Sequence, residues 1–233
     1  MERSKAFATA LVSVLLGGGA LALAGFALAS AAPHQQAQVC QPTTPGNCSL
    51  TISSFPDSLA GEHGKDGGAH PDWVSYSNFN LVAKANTTVT MTINQYDSGG
   101  TLNNKAFFGR VWGTTGGTAQ YMIPTAAGAD TPVQTLSKVD PTNIGHTFTL
   151  RGIPGNASPL FVSVPLPASP STNSVTVGDS TYGSPVKVTF SFKVGGPGVY
   201  EWNCEYPCGG SREGQFGYAM SSFGYMSGTL TVK

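Results

Sequence analysis

Four side chains in the C-terminal part of this sequence could do chemistry together: His146, Cys204, Cys208 and Met226. Thiolate and thioether are soft ligands that favour Cu(I), and imidazole suits both oxidation states of copper. A histidine, two cysteines and a methionine on a rigid β framework would hold a copper ion with little rearrangement between those states. A dry end of a barrel would also help to set its potential.

The elements that must position them follow from the hydrophobic periodicity. Val186, Val188, Phe190, Phe192 and Val194 alternate with Lys187, Thr189, Ser191 and Lys193, the period of a half-buried strand. Gly195-Gly196-Pro197-Gly198 then turns the chain, and residues 199–204 return with Tyr200, Trp202 and Cys204 on one face. The last strand, 229–233, puts Leu230 and Val232 inward, with Met226 at the same parity just before it. Upstream, a strand over 145–150 carries His146, Phe148 and Leu150 on one face and Thr147 and Thr149 on the other. Further strands are expected at 50–54, 79–83 and 87–95, the last with Val89, Met91 and Ile93 alternating with polar residues. Residues 97–100 (Asp-Ser-Gly-Gly) mark a turn, 101–140 long loops with one or two short strands, and 154–184 a mostly irregular stretch. Many short strands at this spacing predict an all-β Greek-key sandwich or barrel with long loops. If the neighbouring strands pair, the four ligand candidates meet at one end of it.

Three segments together resemble a cupredoxin: Gly145-His146-Thr147-Phe148-Thr149-Leu150, the Gly-Pro-Gly turn before Tyr200-Glu201-Trp202-Asn203-Cys204, and Met226-Ser227-Gly228-Thr229-Leu230-Thr231-Val232. Cys204-Glu205-Tyr206-Pro207-Cys208-Gly209 is similar to the binuclear copper A loop of subunit II of haem–copper oxidases, and to exported bacterial proteins with a cupredoxin domain. The resemblance is strong from Asp140 onward. It implies bridging thiolates at Cys204 and Cys208, an imidazole at His146, a thioether at Met226 and a backbone carbonyl at Tyr206.

One position departs from the pattern. The family places a histidine three residues before the methionine, where this chain has Phe223, and no histidine follows His146. His63 or His70 would supply a second imidazole only if the 56–72 loop folds over the same end, and Met220 is a further soft candidate. A plainer alternative stays open: Cys204 and Cys208 joined in a disulfide that staples a turn, in a domain without metal. For Cys40 and Cys48, in a polar loop far from other ligands, a disulfide is the expected state.

The rest of the chain frames this domain. Glu2, Arg3 and Lys5 precede an uncharged, Ala- and Leu-rich run to Ala32. Such a start is export chemistry, either a cleaved signal peptide or a retained membrane anchor. Residues 1–32 are therefore read as signal or anchor, 33–48 as a Pro- and Gln-bearing linker, and 49–233 as the β domain. Charged residues are only 10% and the formal net charge is zero, so no basic field exists to attract nucleic acid. There is no Gly-rich phosphate loop after a strand and no Gly-x-Ser-x-Gly elbow, and acidic residues are too scattered to pair for acid–base work. The expectation is an exported, non-enzymatic copper protein that passes single electrons to a redox partner protein or respiratory complex near the membrane. The alternatives are copper capture or a metal-free interaction domain.

Export makes a direct prediction. A reporter fused after Lys233 should be active only when its activity requires the far side of the cytoplasmic membrane, and a cytoplasm-active fusion would refute the reading.

Overall fold

Strand β13 (Val186–Lys193) shows why the chain builds a two-layer core. Its valines and phenylalanines are all buried while the intervening Lys, Thr and Ser residues are not, so one face is committed to the interior. The computed structural model describes residues 36–59, 72–99, 109–209 and 217–233. In chain order the strands are β1 (Gln38–Val39), β2 (Gln41–Thr44), β3 (Asn47–Phe55), β4 (Ser75–Tyr76), β5 (Asn80–Ala83), β6 (Thr88–Gln95), β7 (Ala119–Met122) and β8 (Gln134–Leu136). They continue with β9 (Ile144–Gly152), β10 (Leu160–Pro167), β11 (Val175–Val177), β12 (Ser180–Tyr182), β13, β14 (Gly198–Asn203) and β15 (Ser227–Val232).

Two mixed sheets result. One runs β1-β5-β15-β14-β9-β10, the other β2-β3-β6-β13-β7-β8 with β4 paired to β3, and β11 and β12 form a separate hairpin. Most pairs are antiparallel, but β1–β5, β5–β15 and β3–β6 are parallel. The sheets meet through aromatic rings. Phe148 of β9 lies 5.9 Å from Phe190 of β13, and Trp202 of β14 meets Tyr76 of β4 edge-on at 5.1 Å. The all-β sandwich expected from the periodicity is the observed architecture. Its helical content among the described residues is three short 3-10 turns, and no helix there is long and apolar enough to cross a membrane.

Two stretches differ from expectation. Residues 36–48, read as linker, contribute β1, β2 and the start of β3 to the two sheets. The Cys40–Cys48 disulfide ties them in, with both cysteines buried, and Pro42 is accommodated because β2 is an edge strand. The 154–184 stretch, irregular over somewhat more than half of its residues as expected, holds more strand than the sequence suggested. It contains the eight-residue β10, paired to β9 along its length, and the β11–β12 hairpin. Pro165 and Pro167 disguised β10, yet an outermost strand tolerates residues that cannot donate to a ladder. Strand β9 is buried on both faces over its first seven residues, because Thr147 and Thr149 satisfy their hydroxyls inside the protein.

The register of β13 fixes a stability prediction. Phe190→Ala and Phe192→Ala should each cost about 3–5 kcal/mol, the usual toll of an emptied aromatic site. Lys187→Ala and Lys193→Ala should stay within about 0.5 kcal/mol. Denaturant titration of the four variants checks this, and equal costs for the two sets would refute the register.

Candidate metal centre

Strand pairing brings the distant histidine to the cysteines. Trp202 of β14 pairs with Leu150 of β9, and Asn203 with Thr149, so the chain beyond β14 runs alongside the beginning of β9. On the other side Asn203 pairs with Ser227 of β15, and the Cys204 amide donates to the Met226 carbonyl at 2.9 Å. His146 therefore lies next to Cys204, and Met226 sits across the ladder from it. Further hydrogen bonds bolt the cysteine loop to β9. The Glu205 amide donates to Thr147 Oγ1 at 2.7 Å, and the Glu205 carboxylate pairs with Arg151.

The ligand atoms of His146, Cys204 and Cys208 all lie within 4.8 Å of one another, and all three residues are buried. His146 Nδ1 is 3.9 Å from Cys204 Sγ, while His146 Nε2 is 2.8 Å from Asp97 Oδ2. A metal with ligand bonds of about 2.0–2.3 Å fits between atoms spaced in this way. The two cysteines are not joined in a disulfide. The Tyr206 carbonyl accepts from Cys204 Sγ at 3.2 Å, so this backbone oxygen sits at the sulfur as well. The Thr147 amide donates to the same sulfur at 3.4 Å.

The remaining candidates divide. Met226 is fully buried in the core. Met220 is half-buried in the 3-10 turn Ala219–Ser221, its sulfur close to Gly217. Phe223, which occupies the place of the family's second histidine, is 56% exposed with its ring edge-on to Phe79. His63 and His70 lie outside the described residues. The sequence did not reveal Asp97, because an Asp opening an Asp-Ser-Gly-Gly run is fully explained as a turn residue. Nor did it reveal Tyr76, whose hydroxyl donates to the Thr147 carbonyl at 3.0 Å.

The charges are interlocked. Burial opposes a charged His146, but its hydrogen bonds to Asp97 and Cys204 prevail and push its pKa up to about 9. Burial likewise raises the Cys204 thiol, yet hydrogen bonds with Cys208 and His146 and the imidazolium charge hold it well below its usual range. Cys208 goes the other way: its hydrogen bond to Cys204, then burial, keep it protonated. Asp97 loses by burial but gains more from His146, so its carboxyl is lowered. Tyr76 is raised well above its usual value by burial and by the nearby sulfurs, so it stays neutral. The interactions thus favour the thiolate at Cys204 and the thiol at Cys208, beside a charged His146 and Asp97.

No protein-family model and no curated protein matches the chain. Among solved structures it is similar to auracyanin B at 18% identity, with 83% of this chain and 94% of that chain covered and a TM-score of 0.30. A likeness that distant carries no argument about the site, and the chemistry rests on the residues themselves.

The two shifted groups pull stability in opposite directions. His146 rises from 6.5 to about 9, so its contribution is complete below 6.5 and is lost as pH climbs to about 9. Cys204 is lowered from 9.0, so its contribution is complete above that value and is lost as pH falls. Between the two values the slopes offset, and the stability of the metal-free protein should be nearly level. Cys204→Ser removes the thiolate slope and part of the support for the raised His146, leaving the Asp97-held imidazolium. That variant should therefore lose stability as pH rises above 6.5, over a narrower window that ends below about 9. Denaturant midpoints at a series of pH values check this, and a level profile for the variant would contradict it.

Proposed function

We propose that this is an exported copper-binding protein of the cupredoxin type that carries single electrons near the membrane. The observation that carries the reading is the buried triangle of His146, Cys204 and Cys208, assembled from strands far apart in sequence. Its donors suit copper: two soft sulfurs, one already a thiolate, and an imidazole whose second nitrogen is held by a carboxylate. Cys204, Cys208 and His146 Nδ1 would hold the ion, with the Tyr206 carbonyl and Met226 beside them. Bound copper supplies a one-electron couple. The chain supplies the rest: β9 and β14 fix the spacing of the ligands, and the surrounding aromatic residues exclude water. The Cys40–Cys48 disulfide supports an oxidising, extracytoplasmic location, as does the charged-then-apolar N-terminus. The partner would be a redox protein or respiratory complex, and no catalysis of its own is proposed.

One observation favours a second reading, copper capture or delivery. The described residues bring only one imidazole to two sulfurs, and a sulfur-rich set holds Cu(I) well without needing to cycle.

Copper titration of the reduced protein, followed by absorption spectroscopy, tests both. A visible charge-transfer band that bleaches on reduction supports electron transfer, colourless tight Cu(I) binding supports capture, and no binding leaves a metal-free domain. Cys204→Ser should abolish binding, and His146→Ala should weaken it and alter the spectrum. Met226→Leu, similar in volume, should mainly shift the potential.

A further inference from the structure

The His146 ring is held from behind, and what holds it is itself fixed on several sides. Asp97 Oδ2 meets His146 Nε2 at 2.8 Å, while Asp97 Oδ1 accepts the Gly99 amide at 2.9 Å. Each carboxylate oxygen therefore has its own partner. The Asp97 backbone is clamped too. Gln95 Oε1 accepts the Asp97 amide at 3.2 Å, and Gln95 Nε2 donates to the Asp97 carbonyl at 3.3 Å. The Ser169 amide donates to the same carbonyl at 2.9 Å.

Two glycines make room for this turn. A Cβ at Gly145 would collide with the Gln95 amide nitrogen, an atom already committed to Asp97. At Gly99, where φ is +75°, a Cβ would stand 2.9 Å from Ala168 Cβ and 3.0 Å from Gly145 Cα. Tyr96, between Gln95 and Asp97, is anchored in a separate aromatic cluster. Its ring stacks on Phe55 at 5.1 Å and lies 5.7 Å from Tyr182, whose hydroxyl reaches the Asp57 carboxylate at 2.9 Å. Three consecutive residues thus each have a fixed environment, and the end of β6 in one sheet is tied to the start of β9 in the other.

We propose that Asp97 is the positioning residue of the metal centre: clamped by Gln95, Gly99 and Ser169, its carboxylate fixes the His146 ring with Nδ1 toward the two sulfurs, and its charge sets the potential of copper held there. A free imidazole can flip its ring or exchange tautomers, and either change removes Nδ1 from the ligand set. A carboxylate on Nε2 forbids both, and it enriches the imidazole electronically. Its negative charge also favours the more highly charged, oxidised copper, which lowers the reduction potential. The metal part of this inference rests on the copper reading above, whereas the ring-positioning part stands in the metal-free protein.

Three variants separate positioning from charge. Asp97→Asn removes the charge and leaves one acceptor oxygen for Nε2–H at the expense of the Gly99 contact. Asp97→Ala removes charge and acceptor, and Gly145→Ala disturbs the Gln95 clamp without changing Asp97 itself. In the metal-free protein, NMR should show a slowly exchanging His146 Nε2–H in wild type and Asp97→Asn, and none in Asp97→Ala. Competition with a Cu(I) chelator should show the affinity falling about 10–100-fold in Asp97→Ala, the usual cost of losing such a partner. Asp97→Asn should raise the reduction potential, read as the ratio of Cu(II) to Cu(I) affinities, and Gly145→Ala should weaken the Nε2–H signal. The proposal is overturned if Asp97→Ala keeps the Nε2–H resonance, or if Asp97→Asn leaves the affinity ratio unchanged. Wild-type protein that binds no copper would sink the copper reading instead, and the Nε2–H comparison would still decide the role of Asp97.

Discussion

The site depends on one pairing, that of β14 with the middle of β9. Cys204 and Cys208 would be close in almost any turn, but His146 is 58 residues away from Cys204 and meets it only because these strands run side by side. Everything that strengthens this pairing serves the site. Phe148 stacks on Trp202 at 5.4 Å across the two strands, and both rings are fully buried. An aromatic pair of this kind adds about 0.5–1.5 kcal/mol beyond the area it buries. Thr147 then joins the strand to the loop twice, through its amide to the Cys204 sulfur and its hydroxyl to the Glu205 amide. Moving β9 by one residue would turn His146 to the opposite face and put Thr147 in its place.

How much of this was legible in the sequence depended on whether the signal was local. Strands β6, β13, β14 and β15 declare themselves by strict alternation, and their inward residues are buried as the pattern demands. Strand β10 does not, because its prolines are turn formers anywhere except at a sheet edge, and edge position is a property of the whole topology. The same limit hid the strands at 38–44, where Gln, Pro and Thr on short edge strands carry no apolar period. At the candidate metal centre, ligand types and spacing pointed to His146, Cys204 and Cys208. Asp97 escaped notice because its partner is 49 residues away and its turn context already accounts for an Asp. Residues that bind are chosen for chemistry, and chemistry shows in residue type. Residues that position are chosen for place, and place appears only once the chain is folded.

The two cysteine pairs show how position decides the fate of the same chemistry. Cys40 and Cys48 flank a hairpin whose strands β2 and β3 are already paired, so their Cα atoms stand 5.5 Å apart and the disulfide closes a short loop. Closing such a loop contributes about 2–4 kcal/mol, chiefly by restricting the unfolded chain. This disulfide also holds β1 and β2 against their sheets, where short edge strands alone would fray. Cys204 and Cys208 lie instead in a loop whose first sulfur is surrounded by His146, the Thr147 amide and the Tyr206 carbonyl. Of these, His146 and the Thr147 amide favour a thiolate inside the protein, which a disulfide sulfur could not exploit. Oxidation and metal binding compete for the same two sulfurs. The protein weights that competition by surrounding one sulfur with donors and a cation, and by keeping both sulfurs away from solvent oxidants. The cost of burying a thiolate is thus offset by the partners that surround it.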